Sequence, residues 1–157
     1  MKELPRRDVL KGAMYGGILW PLMSMEGKNS PMPDMEGQKI SRVKDAAAPT
    51  TLEREHAMTV EVPAEIVAGE PFRMHINMAG HPMTLKHHIS NLRVYVDREL
   101  VTFMTLAPTW QLPEVTFTLT MAKGQVADVV VECNQHGFWA QAAPLFIIPS
   151  APGPVAG

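Results

Sequence analysis

The sequence predicts an all-β domain, an immunoglobulin-like antiparallel β-sandwich of about seven strands, preceded by a signal segment and a linker. Three observations carry the prediction. Short runs with strand character follow one another from Ala57 onward, turn signals separate them, and no apolar repeat of helical period appears among them. The runs are Ala57 to Val62, Phe72 to Met78, Ile89 to Val96, Val101 to Leu106, Val115 to Met121, Val126 to Cys133 and Phe138 to Ile148. Leu92, Val94 and Val96 alternate with Asn91, Arg93, Tyr95 and Asp97, the period of a strand with one buried face. Ala68-Gly69-Glu70, Asp97-Arg98-Glu99 and Lys123-Gly124 supply turns.

Upstream of the strands the chain changes character twice. Residues 1–25 read as an address: Pro5-Arg6-Arg7-Asp8-Val9-Leu10-Lys11 resembles a twin-arginine export motif, and a Gly-containing apolar stretch runs from Gly12 to Met25. A membrane-spanning helix needs about 20 apolar residues, so this shorter stretch, broken by Gly16, Gly17 and Pro21, fits a signal segment better. An ordinary amphipathic N-terminal helix is the alternative. The expected location is exported and periplasmic, or anchored at the outer face of the cytoplasmic membrane if the leader stays uncleaved. Residues 26–51 are rich in Gly, Pro, Ser, Lys, Asp and Met without apolar periodicity, as in a linker with no core of its own. The domain is expected over 52–148 and a flexible Pro/Gly/Ala-rich tail over 149–157.

Composition removes several function classes. With 157 residues and 46% hydrophobic content the chain can bury one real core. Its 14 basic and 16 acidic residues give a net charge of −2, so no polybasic field points to nucleic acid or to an anionic membrane. The single cysteine rules out a disulfide framework and any four-cysteine metal centre within the chain.

That cysteine, Cys133, stands in Cys133-Asn134-Gln135-His136-Gly137-Phe138-Trp139, while His81 and His87 lie six residues apart between the second and third runs and His56 lies just before the first. All five side chains can converge at one end of a sandwich, where loops carry function on a rigid frame. One soft anionic sulfur with several neutral nitrogens suits a redox-active first-row transition metal. His88, next to His87, is expected to point the other way, His75 to alternate with apolar neighbours as a non-ligand, and Phe138 and Trp139 to pack near the site.

His81-Pro82-Met83-Thr84-Leu85-Lys86-His87-His88-Ile89, followed by Leu92, Tyr95, Val96 and Asp97 and then by Cys133-Asn134-Gln135-His136-Gly137-Phe138-Trp139, resembles the superoxide reductase family. The likeness runs from about Glu53 to Trp139 and is nearer the one-centre neelaredoxin type than two-centre desulfoferrodoxin. It implies a mononuclear iron held by His56, His81, His87 and His136 with Cys133 as axial thiolate, one coordination position left open for superoxide, and one-electron reduction of superoxide to hydrogen peroxide. It also implies an external electron-donor protein. Membrane contact is expected only through a retained leader, and open sheet edges leave room for a homo-oligomer.

One departure from the family pattern bears on mechanism. Many members carry glutamate then lysine just before the first histidine; here the order is Glu53-Arg54-Glu55-His56. The sixth ligand could then come from Glu53 or Glu55, and the substrate-attracting cation from Arg54 or Lys86. Two other classes stay open on the residues alone. A cupredoxin-like exported electron carrier would share the sandwich and the Cys/His cluster, yet no methionine follows Met121 to serve as its axial ligand. A non-catalytic metal-binding module holding zinc would need four ligands where five are available.

Overall fold

The computed structural model of the chain describes residues 32–78 and 80–151. The signal segment expected at 1–25, the beginning of the expected linker and residues 152–157 of the tail lie outside the described residues. Two sheets face one another. The larger contains β1 (Ile40–Ser41), β5 (Ile89–Val96), β6 (Glu99–Thr105), β8 (Val126–Cys133) and β9 (Gly137–Pro144), in the order β1-β9-β8-β5-β6. The smaller contains β2 (Thr59–Glu61), β4 (Pro71–Asn77) and β7 (Glu114–Thr120), in the order β2-β4-β7. A parallel pair, β3 (Ile66–Val67) with β10 (Ile147–Ile148), forms a third, two-stranded sheet.

The all-β sandwich is as the periodicity required, with every long pairing antiparallel. Phe72, Met74 and Ile76 of β4 alternate inward and meet Leu92 and Val94 of β5 and Val129 and Val131 of β8 in one core cluster. Apolar surface removed from water between the sheets drives this at about 25 cal/mol per Å². Cys133 keeps the phase of Val129 and Val131, so its thiol ends the buried face of β8.

Three differences from the sequence expectation have physical causes. The run expected over 138–148 breaks into β9 and β10, with Leu145 donating its amide to the Gln125 carbonyl at the break. Residues 32–41, without apolar periodicity, lie on the outer face of the large sheet: Met32, Met35 and Ile40 pack on Tyr95, Val130 and Ala140, and β1 pairs with β9. The buried Tyr95 hydroxyl donates to Asp34 at 2.8 Å; burial, then the Asp34 carboxylate, pushes its ionisation well above the usual phenol range. Finally, a helix, α1 (Thr51–His56), precedes β2, where no regular element was expected ahead of the first run.

Candidate metal centre

α1 exists because Thr50 caps it. The Thr50 hydroxyl accepts from the Glu53 amide at 3.2 Å and the Glu53 carboxylate accepts from the Thr50 amide at 2.8 Å, a reciprocal capping box. Glu53 also accepts from the Lys44 amide at 3.1 Å. The Thr50 amide first, then that of Lys44, hold its carboxyl below the usual carboxylate range. The helix lasts six residues and delivers His56 at its last position, buried.

The loop between β4 and β5 carries His81 and His87. Thr84 shapes it: its amide donates to the His87 carbonyl at 2.9 Å and its hydroxyl accepts from the His87 amide at 3.0 Å. Asn134 and Gln135 then tie this loop to the β8–β9 turn, donating to the Lys86 carbonyl at 3.0 and 2.7 Å, while Asn134 accepts from the His88 amide at 2.9 Å. A register shift between Ile89 and Asn91 keeps Ile89 opposite Cys133. The turn itself closes at Gly137, whose φ of 73° favours glycine, with Cys133 and Gly137 paired across it.

The four imidazoles form a closed ring. Centroid separations are 4.8 Å for His56–His81, 4.6 Å for His81–His87, 4.9 Å for His87–His136 and 5.0 Å for His136–His56, all near edge-to-face, and 6.2 Å for the His56–His87 diagonal. Ligand atoms of His56, His87, His136 and Cys133 all lie within 4.8 Å of one another; His81 lies outside that tightest group and closes the ring between His56 and His87. Cys133 Sγ is 3.5 Å from His136 Nδ1.

Which nitrogen faces inward follows from the hydrogen bonds. His56 Nδ1 donates to the Leu52 carbonyl at 2.8 Å and His81 Nδ1 to the Pro82 carbonyl at 2.7 Å, because a carbonyl can only accept. That leaves a lone pair on each Nε2. The Nε2 atoms of His56, His81 and His87 are buried without a hydrogen-bond partner among the described residues, an arrangement that costs free energy unless something accepts those lone pairs. Burial first, and the neighbouring imidazoles after it, lower the pKa of His56 and of His81, the latter to about 4. Both are therefore neutral donors at pH 7. Three Nε2, one Nδ1 and one thiol sulfur make a five-donor set that fits a first-row transition metal.

Trp139 stacks on the His56 ring at 4.4 Å and 18°, fixing its plane. His88 stays out of the ring, bonded through Nδ1 to the Thr84 carbonyl, and His75 lies on β4 against Thr116 and Glu114. The guanidinium of Arg54 turns back along α1, donating to the Pro49 carbonyl at 2.9 Å and the Thr51 hydroxyl at 3.1 Å. The side chain of Lys86 is exposed beside His87. Sequence periodicity missed α1 because six residues hold too little of it; the Thr50-x-x-Glu53 signature was the available signal.

Residues 48–142 match the family model of the desulfoferrodoxins. The chain belongs to that family. Solved structures add the fold. A superoxide reductase (neelaredoxin) from Ignicoccus hospitalis is 25% identical at a TM-score of 0.56, covering 59% of this chain and 81% of that one. The structure described as a putative superoxide reductase from Thermotoga maritima is 19% identical at 0.54, covering 60% and 87%. The sulfur carrier SoxY from Chlorobium limicola, 16% identical at 0.50 and covering 69% and 84%, shares the sandwich too, so the fold by itself carries no activity. No curated protein matches the chain by sequence.

Proposed function

We propose that this desulfoferrodoxin-family domain is a superoxide reductase whose iron is held by His56, His81, His87, His136 and Cys133. The observation that carries the reading is the closed ring of four imidazoles with three buried, unpartnered Nε2 atoms, in which His56 and His87 group with Cys133 and His136 and His81 lies between His56 and His87. Iron bound there supplies one electron to superoxide, which with two protons from water becomes hydrogen peroxide.

The chain's own groups account for the rest. Leu52 and Pro82 carbonyls hold the His56 and His81 rings in the tautomer that presents Nε2, and Trp139 keeps the His56 plane from rotating. As ligands, four imidazoles would bring no charge and one thiolate a single negative charge, so a divalent ion held by them would keep positive charge for an incoming anion. Arg54 is engaged by Pro49 and Thr51 and Glu53 by two backbone amides, which favours the exposed Lys86 as the cation that raises local superoxide concentration. With Glu53 capping α1, the remaining candidate for a sixth ligand from this stretch is Glu55. The twin-arginine motif supports export of the domain to the periplasm.

The test is iron content with optical spectroscopy. The purified chain should hold one iron, and oxidation should raise a thiolate-to-ferric absorption band that Cys133→Ser abolishes together with superoxide reduction. Retention of both by Cys133→Ser would refute the assignment.

A further inference from the structure

Trp110, Leu85 and Leu112 are the most exposed large apolar side chains among the described residues, at 88%, 75% and 73%. They gather on two loops beside the ring, and backbone bonds lock those loops in place. The Thr109 amide donates to the Met83 carbonyl at 3.0 Å, and the Met78 amide to the Pro113 carbonyl at 2.9 Å. The turn presenting Trp110 is closed by Ala107, whose carbonyl accepts from the Gln111 amide at 3.1 Å and whose amide donates to the Gln111 side chain at 2.6 Å. Thr109 just before it has a φ of 67°, a left-handed conformation that is strained for a β-branched residue. A strained, tightly bonded turn thus holds a tryptophan out in water.

We infer that Leu85, Trp110 and Leu112 insert into the surface of a phospholipid bilayer, with Trp110 as the anchor, so that the imidazole ring is held close to the membrane face. Tryptophan and leucine on a polar frame are the side chains that settle at a bilayer interface, the indole at headgroup level. Two observations favour lipid as the occupant. The first is that the backbone of the loops is already satisfied. An N–H entering the apolar part of a bilayer finds no water to pair with, and here the amides of Thr84, Thr109, Trp110 and Gln111 all donate to carbonyls of these same loops. The second is charge. Residues 82–96 and 100–113 contain no Asp or Glu, and Lys86 is exposed between Leu85 and His87, so no carboxylate has to leave water when the loop tips enter, and the one cation can meet lipid phosphate. Glu114 is the carboxylate that follows Leu112 and Pro113, at the rim of the recess that Leu112 shares with His81. It lies 3.4 Å from His75 Nε2 and is half-exposed, so it keeps its hydration at the edge of the contact. Apolar insertion needs no polybasic field, so a net charge of −2 does not oppose it. Membrane contact then extends beyond a retained leader to the folded domain itself.

The experiment uses the full iron-loaded chain and vesicles of phosphatidylcholine with phosphatidylglycerol as the minor component. Partitioning is read by co-sedimentation. Depth is read from tryptophan quenching by lipids brominated on their acyl chains, in a Trp20→Phe background that leaves Trp110 and the buried Trp139. Trp110 emission should shift to the blue and be quenched when vesicles are added. Trp110→Ala and the Leu85→Ser/Leu112→Ser pair should each lower the partition coefficient by about tenfold or more, the loss expected when a large apolar side chain no longer leaves water. Both variants should react with superoxide in vesicle-free solution as the wild type does. Partitioning equal to that of the wild type in both variants would overturn the inference, because residues 1–31 or another face would then be carrying the chain. So would an unquenched Trp110, failure of the wild type to sediment with vesicles, or conversion of a dimer to monomer by Trp110→Ala. Insertion needs no iron: a chain that partitions through Trp110 but fails to react with superoxide would refute the proposed reaction and leave the membrane contact standing.

Discussion

His81 makes the metal-free domain sensitive to acid in a way that can be worked out beforehand. The ring is 4% exposed, so solvent screening weakens the effect little, and burial lowers its pKa from 6.5 to about 4. Between those values the unfolded chain binds a proton that the folded chain rejects, so stability is full above pH 6.5 and is lost as pH falls toward 4. From pH 7 to pH 4.5 the loss assigned to His81 alone is about 2.5 kcal/mol, at 1.36 kcal/mol per decade. His56, depressed by the same burial, adds to it in the same direction. The perturbation is His81→Asn, whose side-chain amide can still donate to the Pro82 carbonyl. Urea unfolding of both chains in the presence of a chelator, followed by circular dichroism at pH 7 and pH 4.5, isolates the term as the difference between their two pH responses. The variant should lose about 2.5 kcal/mol less than the wild type over that interval. Equal pH responses, to within about 0.5 kcal/mol, would show that His81 is not buried as a neutral imidazole and would remove one of the three unpartnered nitrogens from the argument.

Two further outcomes follow from the helix that carries His56. Thr50→Ala removes the hydroxyl half of the capping box and should cost about 1 kcal/mol in urea unfolding, with weaker iron retention in a chelator competition because His56 ends that helix. Arg54→Ala should leave the superoxide rate and its ionic-strength dependence unchanged, whereas Lys86→Ala should lower the rate at low salt and flatten that dependence, both read by pulse radiolysis; the opposite pattern would return the cationic role to Arg54.

The amino-acid order alone determined the sandwich and the phase of its strands, because a period of two is written in neighbouring residues: Phe72, Met74 and Ile76, or Val129, Val131 and Cys133, share a face whatever lies opposite. It also determined the candidate donors, since one thiol and the histidines at 56, 81, 87 and 136 are legible as chemistry and as spacing. Tertiary structure decided what those donors do together. The ring closes through bonds such as Asn134 to Lys86 and Gln135 to Lys86, between residues 48 and 49 positions apart, and no local pattern encodes a contact at that range. It decided that Nε2 faces inward on His56 and His81, because carbonyls of Leu52 and Pro82 occupy Nδ1. It decided that Glu53 caps a helix and that residues 32–41 cover Tyr95, since a short helix and an aperiodic strap take their order from the surfaces they meet. Periodicity is a property of adjacent residues, whereas convergence on one point is a property of hydrogen bonds between loops that only the packed sheets bring within reach.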